Sequence, residues 1–482
     1  MNQKSVVGTP PGGSRDAKNA TPLENLDKKY LWHPFTQMSD WEKEEILVIE
    51  KAEGVWLIDT EGRRYLDGVS SLWCNVHGHH VPEIDEAIRD QLEKVAHSTF
   101  LGLSNVPAIQ LAEKLISIAP PGLTRVFYSD SGSEAVEIAL KMAYQYWRQK
   151  GEKRKTKFVR LTNAYHGDTL GAVSVGGIQL FHDLYQPLLF KTYEVPAPYV
   201  YRWPKIKGRV LSREEVRDES LQAMEKILKK HASEIAAVIM EPLIQGAAGM
   251  IDQPQGYLSR VRERVSHYGT LLILDEVATG FGRTGRMFAA DHEKVTPDLM
   301  AVAKGLTGGY LPLAATLATE EIYNGFLGNY SEFKTFFHGH TYTANSLACR
   351  AALANLELFQ KKKTLEKLAE KIDDLRVQLQ DFSALSHVGD IRQVGFMAGI
   401  ELVEDRTTQK PYPWEKKIGI RVIQEARKRG VILRPLGNVI ILMPPLGISG
   451  EELRELIDRT YDSIQVVTEN DNFCESREAK IE

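Results

Sequence analysis

The sequence predicts an α/β fold: a large domain with a mainly parallel central sheet, joined to a smaller α+β domain built from both chain ends. Three observations carry this expectation. From about Pro107 to Ala344 short β-rich runs alternate with helical patterns, as in βα units wound around a parallel sheet. Most of those runs lack polar alternation, as strands do when helices cover both faces. On either side of this stretch the pattern changes, and 482 residues suit one large domain with a smaller companion.

Taken in order, residues 1–25 begin "MNQKSVVGTPPGGSRDAKNATP", which lacks the apolar core of a signal peptide and reads as a disordered tail. Residues 26–80 are expected to form the first part of the small domain. Within "GVWLIDTEGRRYLDG", Thr60-Glu61-Gly62 reads as a hairpin turn. Residues 81–345 are expected to form the large domain. Its candidate strands are Arg125–Tyr128, Lys157–Leu161, Ala236–Glu241, Thr270–Asp275, Leu299–Ala303 and Leu313–Leu317, all placed centrally. Residues 346–468 return to the small domain with long amphipathic stretches. Then come "GDIRQVGFMAGIELV" and "GVILRPLGNVIILMPPL", which read as strands. Residues 469–482 are polar and read as a second flexible tail.

Sixty basic and 64 acidic residues leave a net charge of -4, which argues against a general nucleic-acid or anionic-membrane surface. No apolar run approaches the roughly 18 residues of a membrane helix. Cys74, Cys349 and Cys474 are widely spaced without a CxxC pair, which fits a reducing compartment, so a cytoplasmic location is expected. Function must then come from a local site.

"LLILDEVATGFGRTG" carries an apolar run to Asp275, where a carboxylate loses solvation and calls for a cationic partner. In "LMAVAKGLTGGYLPLAAT", Lys304 follows another apolar run. A lysine in apolar surroundings has a lowered pKa and can attack a carbonyl, whereas the plain alternative is a surface lysine at a strand end. "FYSDSGSEAVEIALKMAYQYW" passes from strand to helix, and Ser131 with Glu134 has capping-box spacing. The free amides of Gly132 and Ser133 would then suit a phosphate, or simply begin a capped helix. Together these groups match a phosphorylated pyridine aldehyde, which needs amides for its phosphate, an acid for its ring nitrogen and an amine for its aldehyde. Tyr165, in "LTNAYHGDTLGAVSVGG", could stack on one face of the ring and Val277 pack the other.

The segments "DEVATGFGRTG", "AVAKGLTGG", "SDSGSEAVE" and "YHGDTLGA" stand in the order and spacing of the class III aminotransferases, and the chain resembles that family from about Leu31 to Val467. The resemblance implies fold-type I of the pyridoxal-phosphate enzymes, pyridoxal 5′-phosphate as cofactor, a small-molecule amino donor and keto acid as substrates, and a homodimer with shared active sites. By motif, Lys304 resembles the Schiff-base lysine, Asp275 the pyridinium partner, Gly132 and Ser133 the phosphate-binding pair, and Tyr165 the stacking aromatic. Thr341 resembles the threonine that reaches the phosphate from the neighbouring subunit. Arg434, in "ILRPLGN", resembles the arginine that pairs with a substrate carboxylate, and Phe35 and Trp73 would line the substrate pocket beside Tyr165. Glu241 stands where related enzymes have an acid near the cofactor, and its role is open.

Within the family, "LWHPFTQMSDW", "SSLWCNVHGHH" and "HGHTYTAN" are similar to the branch that acts on 8-amino-7-oxononanoate in biotin synthesis. Ala278 and Val136 stand where ornithine- and 4-aminobutyrate-using members carry glutamine and asparagine. Phe35 replaces a tyrosine, and Leu72-Trp73 a Trp-Trp pair, of many adenosylmethionine-using members. L-lysine is therefore the expected donor in place of S-adenosylmethionine. Another ω-aminotransferase is the alternative within the family. A zinc hydrolase built on His77, His79, His80, His338 and His340 is the alternative outside it, but no carboxylate ligand at suitable spacing is evident, so no metal is expected.

Overall fold

The computed structural model describes residues 21–206 and 208–469. Cys474, most of the expected amino-terminal tail and nearly all of the carboxy-terminal one lie outside them. A helix lies partly within the first expected tail: Thr21 caps the helix Pro22–Tyr30 and exchanges side-chain and backbone hydrogen bonds with Glu24. The polar composition of this segment hid a capping box.

Strands β1 (Ile49–Glu53), β2 (Trp56–Asp59) and β3 (Arg64–Asp67) form an antiparallel meander, with the turn after Asp59 closed by Gly62 N donating to Asp59 O. The central sheet uses β4 (Leu123–Ser129), β5 (Lys157–Leu161), β6 (Tyr193–Val195) and β7 (Ile235–Met240). After a small ribbon of β8 (Ile244–Gln245) and β9 (Ile251–Asp252), it continues with β10 (Leu271–Asp275), β11 (Leu299–Val302) and β12 (Ala314–Thr319). Its order is β4-β12-β11-β10-β7-β5-β6, and only β12 runs antiparallel to its neighbours. β7, β10 and β11 are buried along their whole length, which is why their sequences show no polar alternation. The run Arg125–Tyr128, expected in the centre, belongs to the edge strand β4, where Arg125 stays exposed and pairs with Glu320 at 2.8 Å.

The second part of the chain adds an antiparallel sheet of β13 (Val388–Val394), β14 (Met397–Asp405), the short β15 (Lys410–Pro411), and, after β16 (Val431–Ile432), β17 (Arg434–Leu436) and β18 (Val439–Leu442). β16 pairs in parallel with β3, so the two chain ends share one four-stranded sheet. Buried Arg392 of β13 binds Glu401 at 2.6 Å and Asp390 at 2.7 Å, and donates to the carbonyl of Gly249 at 2.7 Å. This ties the antiparallel sheet to the loop beside the β8–β9 ribbon. Among the described residues no helix is long and apolar enough to cross a membrane.

Candidate active site

The carboxyl ends of β5, β7, β10 and β11 converge with the amino end of the helix Gly132–Gln149 on a cavity of about 410 Å³. Open α/β sheets bind ligands at that edge. Gly132, Ser133, Tyr165, Asp275, Val277 and Lys304 all line it, as does Trp73.

Asp275 is the last residue of β10 and is buried. Its Oδ1 accepts the amide of Val277 at 3.0 Å, and its Oδ2 lies 2.7 Å from His166 Nδ1. A carboxylate there only accepts, so His166 carries its proton on Nδ1 and donates it. His166 is buried, and its Nε2 has no partner among the described residues. The sequence reading gave this histidine no role. Its one signal was its place directly after Tyr165.

Lys304 follows β11 by two residues and opens a short 3-10 turn, Lys304–Thr307, with φ of 45°. A positive φ at lysine costs on the order of 1 kcal/mol and persists only where the surroundings impose it. Here Asn355, fully buried in the helix Ser346–Lys361, donates to the carbonyls of Gly305 at 2.9 Å and Leu306 at 3.0 Å. The amine lies 5.4 Å from the centre of the Trp73 ring and has no hydrogen bond or ion pair among the described residues. Burial pulls its pKa below the ordinary lysine value, against the opposing fields of Asp275 and Glu241.

At the other end of the cavity Ser131 caps the helix, and Glu134 Oε2 accepts the amides of Asp130 and Ser131. The amides of Gly132 and Ser133 have no acceptor among the described residues and stand where the helix dipole favours an anion. Gly132 is required by close approach: a Cβ there would lie 2.7 Å from Val277 Cγ1. Gly167, with φ of 119°, packs on Ser133, where a Cβ would meet Oγ at 2.0 Å.

Tyr165 donates its hydroxyl to Asp168 at 2.8 Å and its amide to Glu241 Oε2 at 3.2 Å. Glu241, one residue beyond β7, also accepts the amide of Gly246 at 2.9 Å. It therefore pins two loops of the cavity from beneath. Burial pushes its carboxyl up to about 7.

Three nominated residues stand apart from the cavity lining. Phe35 is 58% exposed and meets Phe181 edge-on at 5.3 Å, and Phe181 in turn meets Tyr165 at 6.4 Å. Within its own chain Phe35 is thus one ring removed from the pocket it was expected to line. Arg434, at the start of β17, is half-buried with no hydrogen-bond partner among the described residues, and burial lowers its pKa against the field of Tyr165. Thr341 is exposed in the turn before the helix Ser346–Lys361. Of the histidines of the zinc alternative, His77 meets the carbonyl of Asn355, His79 Asp67 and His80 Asp85, whereas His338 and His340 stand 3.1 Å apart and His340, Asp130 and Glu134 bring ligand atoms within 4.8 Å of one another.

The family model described as aminotransferase class-III matches residues 37–464. An adenosylmethionine-8-amino-7-oxononanoate aminotransferase of Geobacter sulfurreducens is 54% identical over 446 residues, covering 92% of this chain and 98% of that protein. The enzyme of the same name from Aquifex aeolicus is 56% identical over 436 residues, covering 90% and 95%. Among solved structures, the adenosylmethionine-8-amino-7-oxononanoate aminotransferase of Methanocaldococcus jannaschii superposes with a TM-score of 0.88 at 50% identity, covering 92% of this chain and 98% of that one. The ω-transaminase of Pseudomonas jessenii in complex with PMP gives 0.89 at 31% identity, covering 93% and 99%. With the buried acid, the unpaired amine and the free amides in one cavity, this chain belongs to the class III aminotransferases, which use pyridoxal 5′-phosphate.

Proposed function

We propose that the cavity transfers an amino group to 8-amino-7-oxononanoate, giving 7,8-diaminononanoate for biotin synthesis, with L-lysine as donor. The observation that carries the chemistry is the unpaired, buried amine of Lys304 in the same cavity as Asp275. The keto acid is taken from the relatives, which are more than half identical over nine-tenths of the chain. Pyridoxal 5′-phosphate, when bound, supplies the aldehyde that takes up the amino group and a pyridinium ring that accepts electrons from the amine carbon.

The residues of the chain do the rest. The amides of Gly132 and Ser133 hold the phosphate, and Tyr165 and Val277 cover the two ring faces. Asp275 keeps the ring nitrogen protonated, with His166 fixing the position of its carboxylate. Lys304 supplies the amine that anchors the aldehyde. With its pKa lowered it can also take a proton at the reacting carbon and return it at the neighbouring atom. Arg434 pairs with the carboxylate of the keto acid, a task that suits its planar fork. Phe35 and Trp73 line the approach for substrate. Thr341 of a second copy reaches the phosphate, so the working unit is a homodimer.

The names of the relatives favour a second reading of the donor, S-adenosylmethionine. Mass spectrometry of the product formed from 8-amino-7-oxononanoate with each donor separately decides between them. Diaminononanoate from lysine supports the proposal, and from adenosylmethionine alone it replaces the donor. Its absence with both points to another ω-aminotransferase.

A further inference from the structure

Between β3 and the cavity the chain makes a turn that L-amino acids rarely make. Ser70, Ser71, Leu72 and Trp73 have φ of 51°, 47°, 78° and 71°. Trp73 N donates to Val69 O at 2.8 Å and Cys74 N to Ser70 O at 3.0 Å, so the segment is one turn of left-handed helix without a glycine. Such a turn opposes the chirality of its residues and has to be held from outside.

The holder is Asp67, whose carboxylate is fully buried at the end of β3. Its Oδ1 accepts the amide of Ser71 at 2.8 Å, and its Oδ2 accepts the Ser71 hydroxyl at 2.7 Å. His79 Nε2 lies 3.0 Å from the same Oδ2. Asn75 Oδ1 accepts the amide of Gly78 at 2.8 Å, which aims Asn75 Nδ2 at His79 Nδ1, 3.2 Å away. The His79 proton is therefore on Nε2 and is donated to Asp67. From the far side Ser70 Oγ donates to Met443 O at 2.6 Å, and buried Arg283 donates to Asn75 O at 2.6 Å.

The product of this clamp is the wall of the cavity. Trp73 lies against Gly246, where a Cβ would come within 3.2 Å of the indole, and its ring centre is 5.4 Å from the Lys304 amine. Leu72 is left exposed beside it. A right-handed turn would rotate successive side chains the opposite way and take the indole off the lysine.

We propose that Asp67, backed by His79, is a positioning residue for the transfer reaction: it locks Ser70–Trp73 in the left-handed turn that sets the Trp73 wall of the cavity beside Lys304. The wall then decides which amine and keto acid fit. This rests on the reading of the cavity as the site of amino transfer, and the test separates the two claims.

The protein is labelled with 5-fluorotryptophan, and the Trp73 resonance is identified by its loss in Trp73→Phe. In the cofactor-free Asp67→Asn protein that resonance shifts or splits while the other six tryptophans stay in place. In the loaded enzyme KM for the keto acid rises about tenfold or more while cofactor affinity is unchanged. Adding Ser71→Gly restores both, because glycine takes a positive φ without a clamp. If Asp67→Asn does not accumulate, Ser71→Ala, which removes the hydroxyl bond to Asp67 Oδ2, is read in the same way.

An unmoved Trp73 resonance with unchanged KM in a folded variant overturns the proposal. So does a fall in cofactor affinity and Tm parallel to the rise in KM, with no recovery on adding Ser71→Gly. Should the wild-type chain fail to use the keto acid, the substrate reading falls while the fluorine spectra still decide on the clamp.

Discussion

An amine without a hydrogen bond or ion pair in apolar surroundings is costly to charge, and Lys304 is held in that setting by the turn that Asn355 supports. Lys304→Ala should abolish transfer and the absorbance of lysine-bound cofactor without lowering the Tm of the cofactor-free protein. Residual turnover with that absorbance retained would remove Lys304 from the centre of the account. Glu241 makes a pH prediction. Burial raises its carboxyl from 4.5 to about 7, so the folded state binds the proton more tightly than the unfolded chain. Its contribution is complete below the unfolded value and is lost as pH rises through the folded one, on the order of 3 kcal/mol. The Tm of cofactor-free Glu241→Gln, relative to wild type, should therefore become more positive from pH 5 to pH 8; a constant difference contradicts this. Glu276, also raised to about 7, is present in both proteins and cancels. Lys304, Asp275 and Gly132 were legible because each stands at the end of a locally patterned run. His166 was not, since its pairing with Asp275 joins positions 109 residues apart, and neither was the clamp at Asp67.

At the scale of elements, the helix Gly132–Gln149 begins where the chain leaves no room for a side chain. Gly132→Ala should push the first turn away from Val277, weakening cofactor binding about tenfold or more and destabilising the fold by about 1–3 kcal/mol. Adding Val277→Ala should recover part of the affinity. Equal cofactor affinity in Gly132→Ala and wild type would show that these amides do not hold the phosphate. The run Lys157–Leu161 was read from the sequence with the bounds it has in the structure, and Thr270–Asp275 within one residue, the latter because a fully buried strand is a continuous apolar run. The antiparallel direction of β12 and the edge position of β4 were not legible, being settled by pairing between distant segments. Strands of two or three residues, such as β6 and β8, are too short to show a period. The left-handed turn left no trace either, since Ser70-Ser71-Leu72-Trp73 contains none of the residues that ordinarily announce a positive φ.

Across the whole molecule, the parallel pairing of β3 with β16 closes the two chain ends into one layer beside the central sheet. Thr341 and the nearby aromatics Phe333, Phe337 and Tyr342 are exposed. If a second copy completes the site, the protein runs as a dimer, and Lys304→Ala and Thr341→Ala chains, each impaired alone, regain activity when mixed and reassociated. A hybrid holds one site with both residues intact and one with neither, and no recovery on mixing would argue for self-contained sites. The central claim concerns the chemistry of this cavity, and one measurement addresses it most directly: the absorbance of the purified, cofactor-loaded protein through both halves of the exchange. L-lysine should shift the absorbance of lysine-bound cofactor to that of the aminated form, and 8-amino-7-oxononanoate, added after the donor is removed, should restore it in full. An absorbance that no donor amine shifts, or that the keto acid leaves unrestored, would contradict the account.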